Sequence, residues 1–194
     1  MSKFDDAIAY IRKYSEADEQ RRAAFYFVRN IPYSTIDSHS VEDAIENNRA
    51  DCYAKANLLE ILFQSIGYKT RLLIARYRLK DFPPEVRFIP GQIDYHYAVQ
   101  VHLMQNWITV DATYDPALAS IGFVINDWDG LTGTPLSEIA ISQKIVTEQN
   151  PNFDRESKAF GSALKEAYKK YENEITNYRI AFNRELDQAR NKVH

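Results

Sequence analysis

From the start of the chain to about Arg29, apolar residues recur at three- and four-residue spacing, with Ala7, Ile8 and Ile11 in one stripe and Ala23, Phe27 and Val28 in another. That period predicts two helices. Pro32 stops the second and leaves Ile31-Pro32-Tyr33 extended. After a polar loop from Ser34 to Ser40, the run Ser40-Val-Glu-Asp reads as the capping signal of a short helix ending near Asn47. Asn48-Arg49-Ala50 is a second loop. From Asp51 the positions Leu58, Leu59, Leu62, Phe63 and Ile66 lie on one helical face, and Gly67 supplies the left-handed residue that ends the helix.

The period then changes from helical to extended. Thr70 to Tyr77, Tyr95 to Leu103 and Trp107 to Asp111 read as strands, the last two joined by a short turn. With the turn centred on Met104-Gln105, paired residues sum to 209, so Val99 faces Val110 and Val101 faces Ile108. This register gathers Val99, Val101, Leu103, Ile108 and Val110 on an apolar face and leaves His96, Ala98, Gln100, Trp107, Thr109 and Asp111 on the opposite, solvated one. Helices followed by an antiparallel sheet define an α+β fold. Between the first two strands, Arg78 to Asp94 contains Pro83, Pro84, Pro90 and Gly91, and is expected to be a long irregular loop that flanks the site and gates it.

After Asp111 the chain is punctuated by Gly and Pro to about Pro151, and from Phe153 it becomes strongly charged and helical. The expected division is a catalytic domain over 1–150 and a C-terminal helical extension over 151–194. In the extension Phe160, Leu164 and Ala167 are echoed by Tyr171, Ile175 and Tyr178, then by Phe182, Leu186 and Ala189. An 11-residue repeat keeps its stripe on one side of a nearly straight helix. Unbroken, that helix would span roughly 55–60 Å at 1.5 Å per residue, too long for its own core to cover. The stripe is expected either to break and fold back or to meet a second copy, giving a homodimer through this helix; otherwise it lies on its own domain with a frayed tail from about Asn183.

Composition narrows the function. In 194 residues, 45% are hydrophobic, enough for one substantial core. A net charge of -3 offers no basic field for nucleic acid or anionic lipid. No stretch approaches the length of an apolar membrane span, and the charged N-terminus lacks a secretory apolar run, so neither membrane insertion nor secretion is expected. A single cysteine makes neither an internal disulfide nor a structural zinc site, which fits a cytoplasmic setting with no metal or other cofactor.

That cysteine stands where chemistry is favoured. Asp51 as N-cap places Cys52 in the first helical turn, where free N–H groups and the helix dipole favour a thiolate, so a depressed thiol pKa is expected. In the hairpin register Asp111 faces Ala98, one diagonal step from His96, a separation of roughly 7–8 Å that an imidazole and a carboxylate bridge. A His–Asp bond fixes the tautomer and leaves the second ring nitrogen to take the thiol proton. The backbone N–H of Cys52 is a natural oxyanion donor, and Tyr33 is the candidate for a second. His102 reads as a surface residue, and nothing positions His39. Asn126 to Gly130 lacks the remaining ligand positions of a calcium loop and reads as a turn.

These residues resemble the transglutaminase-like superfamily. The resemblance is carried by Ala50-Asp51-Cys52, Leu58-Leu59, Gly67, Thr70-Arg71, His96 and the run Trp107-Ile108-Thr109-Val110-Asp111-Ala112-Thr113, over roughly Ala24 to Pro116. It implies a papain-like Cys–His–Asp site at Cys52, His96 and Asp111. Ala50 stands where the family has glycine, and Tyr97-Ala98 replaces its Ala-Trp pair. The expected activity is acyl transfer at amide or peptide bonds of a protein or peptide substrate through a thioester, resolved by water as in a peptidase or deamidase. The alternatives are a cross-linking transglutaminase and a non-catalytic protein-binding module of the same fold.

Overall fold

A computed structural model describes residues 3–36, 38–78 and 93–192. The polypeptide forms helices α1 (Lys3–Ile11), α2 (Ala17–Arg29), α3 (Val41–Glu46) and α4 (Cys52–Ser65). Strands β1 (Thr70–Arg78), β2 (Ile93–Leu103) and β3 (Asn106–Val110) follow, then a 3₁₀ turn (Pro116–Ile121), β4 (Ala140–Ile145) and helix α5 (Pro151–Asn191). Of the loop expected over Arg78 to Asp94, Arg78 belongs to β1 and Ile93 and Asp94 to β2, while 79–92, and the gating role with them, fall outside the described residues. No helix among the described residues is long and apolar enough to cross a membrane.

The four strands form one antiparallel sheet in the order β3-β2-β1-β4. The β2–β3 register pairs Val99 with Val110 and Val101 with Ile108, as the alternation predicts. Met104 and Gln105 turn the hairpin with φ of 46° and 69°. Helix α4 packs mainly on β2, and α2 and α3 pack on α4. The principal core joins Phe25 and Val28 of α2, Leu58, Leu59, Leu62 and Phe63 of α4, and Val99, Val101 and Val110 of the sheet. Gly67 ends the α4 turn at φ 92°, where a side chain would be strained.

Two expectations require correction. The face carrying His96 is not solvated along its length: His96, Ala98 and Asp111 are buried, and Leu136 packs with Leu73, Ala98 and Ile145 on that side. The hairpin end stays wet, where Arg71 bonds Gln100 and stacks on Trp107. The sheet also gains β4, which the turn-rich composition of that stretch concealed. Its apolar Ile141 stands on the exposed phase and polar Ser142 and Lys144 on the covered one, so the hydropathy does not signal a half-buried strand.

Helix α5 bends at Tyr171, whose φ of -130° and ψ of 35° lie outside the helical range. Its tail is the best-packed part rather than a frayed end: Phe182, Asn183, Leu186 and Ala189 are buried, packed among Tyr33, Tyr114 and Leu118. Asn183 anchors it by accepting from the Ser34 hydroxyl (2.9 Å) and Thr35 N–H (3.0 Å) and donating to the Thr35 hydroxyl (2.7 Å).

Candidate active site

Asp51 N-caps α4 as expected, its Oδ1 accepting from Ala54 N–H at 2.8 Å, and Cys52 is the first helical residue. Two features tie down the segment before it. Ala50 donates to Pro32 O and accepts from Ser34 N–H, a short parallel bridge. Lys55, one turn beyond Cys52 and 1% exposed, donates to Arg29 O (3.0 Å) and Ile31 O (2.7 Å), and burial lowers its pKa to about 7. The first turn of α4 and the segment holding Tyr33 are therefore one cross-linked unit.

The hairpin delivers the other two residues. His96 Nε2 meets Asp111 Oδ2 at 2.6 Å, with His96 2% and Asp111 1% exposed. Asp111 also accepts from Ser137 N–H (2.7 Å) and Thr113 N–H (3.1 Å). Its own backbone is fixed by Thr134, which accepts from its N–H, and by Asn126, which donates to its carbonyl. The stretch Asn126 to Gly130 is thus a turn that braces Asp111, with Gly130 at φ 86° and Asp129 accepting from Leu131 and Thr132 N–H. Asn126, Thr134 and Ser137 carry no sequence signal beyond being polar in a turn-rich stretch.

The Cys52 thiol donates to Tyr95 O at 3.8 Å and lies next to His96, whose charge acts on it. With Nε2 committed to Asp111, Nδ1 is the ring nitrogen left for the thiol. Burial would lower the His96 pKa, but the charge and hydrogen bond of Asp111, with the Cys52 contact, raise it well above the ordinary imidazole value. Asp111 is held below the usual carboxylate range, as its charge and hydrogen bond to His96 overcome burial. The expected depression of the Cys52 pKa is not found. Burial pushes the thiol up, and His96 offsets this only in part.

Tyr33 sits in the cluster against which Cys52 packs, its ring edge-on to Tyr114 at 5.0 Å. Burial first, and then the Cys52 charge, raise its pKa well above the ordinary phenol value, so it remains a hydroxyl donor. Tyr178 and Phe182 of α5 belong to the same cluster, so the C-terminal helix packs on the group of residues that Cys52 also joins. His102 remains away from these residues beside Trp107. His39, for which the sequence offers no anchor, pairs with Asp51, the α4 cap.

Residues 7–112 match the model of the transglutaminase-like superfamily, more than half of the chain, and the chain belongs to that superfamily. Among solved structures it is similar to a TGase, at 14% identity and a TM-score of 0.43, covering 62% of this chain and 35% of that one. It is also similar to a protein of Cytophaga hutchinsonii solved as a candidate cysteine protease, at 21% identity and a TM-score of 0.43, covering 57% and 36%. The chain spans about a third of the length of each. No curated protein matches it. Asp115, Asn126, Ser137 and all of α5 lie beyond the span matched by the family model.

Proposed function

We propose that this protein is a cysteine hydrolase acting on amide or peptide carbonyls, with Cys52 as nucleophile, His96 as general base and acid, and Asp111 as the group that orients and charges His96. The observation that carries the reading is the convergence of three separately positioned residues: a thiol at a helix start, beside an imidazole whose Nε2 is held by a buried carboxylate. In the first half-reaction the Cys52 sulfur bonds to the carbonyl carbon, its proton passes to His96, and the C–N bond breaks as His96 protonates the departing amine. Water then attacks the thioester and gives its proton to His96. The C–S bond breaks, a carboxylic acid leaves, and the thiol is restored. The N–H of Cys52, free at the first helical turn, and the Tyr33 hydroxyl are the proposed oxyanion donors.

Turnover of an activated ester tests the assignment without knowledge of the natural substrate. Cys52→Ala and His96→Ala are expected to abolish it, and Asp111→Asn to slow it by orders of magnitude through loss of tautomer control. Undiminished turnover in the Cys52 variant would reject the reading.

A further inference from the structure

Tyr33 lies in irregular backbone, yet both of its peptide groups are held by charged partners. Its N–H donates to Asp115 Oδ2 at 2.9 Å, and its carbonyl accepts from Arg190 Nη2 at 2.8 Å. Arg190 and Asp115 are joined in turn, Nη2 to Oδ2 at 2.7 Å and Nε to Oδ1 at 3.2 Å, a two-pronged pair with side chains 15% and 6% exposed. Asp187 accepts from the remaining Arg190 nitrogen at 2.8 Å. The planar guanidinium fork fixes direction as well as distance, which a lysine or a water would not do. This ring of four bonds joins the 31–34 segment, the chain after Asp111 and the last turns of α5 around a single tyrosine.

We propose that Arg190 is a positioning residue of the active site: with Asp115 it clamps the Tyr33 backbone so that the Tyr33 hydroxyl is presented to the oxyanion formed when Cys52 attacks a carbonyl. The inference rests on the acyl-transfer reading above. An oxyanion donor works only when held within a fraction of an ångström of the developing charge. Tyr33 has no helix or regular strand to hold it, and its own N–H and carbonyl are fixed by this clamp. The clamp makes the end of the C-terminal helix part of the catalytic machinery of a domain whose family-matched span ends at 112.

Two probes of the same thiol separate this role from a merely structural one. In the reaction with p-nitrophenyl acetate, the Cys52 sulfur bonds to the acetyl carbon and p-nitrophenolate leaves with its electron pair. The thiol proton goes to His96 and then to solvent, and the carbonyl oxygen carries charge on the way. Iodoacetamide is attacked at saturated carbon with loss of iodide and forms no oxyanion. Arg190→Gln and Tyr33→Phe are each expected to slow acylation by roughly 10- to 100-fold while changing alkylation by no more than about twofold. The double variant should be no slower than the worse single one, because both remove the same contact. Arg190→Lys, which keeps the charge but loses the fork, should fall between wild type and Arg190→Gln. Equal losses with both probes, no loss with either, or multiplying losses in the double variant would overturn the proposal. If Arg190→Gln does not fold, Asp115→Asn and Arg190→Lys carry the same comparison. Persistent acylation in Cys52→Ala would instead reject the cysteine reading itself, whatever the clamp variants do.

Discussion

At the scale of single residues, Asp111 bears the largest electrostatic burden of the site, because its carboxylate is buried and shared between His96 and two backbone N–H groups. Removing one partner of such a pair leaves the other charge buried and unpaired, so Asp111→Ala is expected to cost about 3–5 kcal/mol of stability by chemical denaturation. The pair also sets a pH window. Asp111 has a folded pKa below its unfolded value, so its contribution is present above about pH 4 and is lost as pH falls through the folded value. His96 has a folded pKa above its unfolded value, so its contribution is complete below about pH 6.5 and is lost as pH rises through the folded value. The gap in melting temperature between wild type and Asp111→Ala should therefore be widest between about pH 4 and 6.5, and a gap that does not vary with pH would contradict the ion pair. The raised thiol has its own consequence: alkylation of Cys52 near pH 6 should be slower than that of free cysteine and should climb on the alkaline side of neutrality. Fast labelling at pH 6 would show that the helix start and His96 outweigh burial after all.

The elements explain why some of this site was legible in the sequence. Cys52, His96 and Asp111 each rest on a local signal: an N-cap aspartate, the start of a strand, and the alternation that fixes a hairpin register. The contacts that brace them are not local. Arg190 reaches Tyr33 across 157 positions and Ser137 reaches Asp111 across 26, and no periodicity records such pairings. Burial of the His96 face was hidden for the same reason, since its cover comes from Leu136 and the turns around it. Two substitutions test the elements themselves. Asp51→Ala removes the α4 cap and the partner of His39, and is expected to cost about 1 kcal/mol by denaturant melts. Met104 and Gln105 both adopt positive φ, which Asn-Gly accommodates without strain. The Met104→Asn/Gln105→Gly double variant should raise the melting temperature by a few degrees, about 2–4 °C per kcal/mol in a protein of this size. A lower melting temperature would mean that the turn is not the two-residue loop described.

For the whole molecule, the C-terminal helix decides how the chain is organised. Every member of its 11-residue stripe from Phe160 to Ala189 is at least partly covered by the chain itself, and the bend at Tyr171 makes this possible. A second copy is not needed to bury the stripe, so light scattering of the full chain should give the monomer mass. A dimer that dissociates on Ile180→Glu, a change at an exposed α5 position, would instead establish association through this helix. The sequence repeat showed that the stripe needed cover, but not that its last turns would pack on the cluster Cys52 also joins. The central claim, that Cys52 is an acylated nucleophile driven by His96 and Asp111, is tested most directly by intact-mass and peptide mapping after brief exposure to p-nitrophenyl acetate. One acetyl group is expected on Cys52 in the wild type, none in His96→Ala, and a much slower appearance in Asp111→Asn. Acetylation that spares Cys52, or that reaches it equally fast without His96, would contradict it.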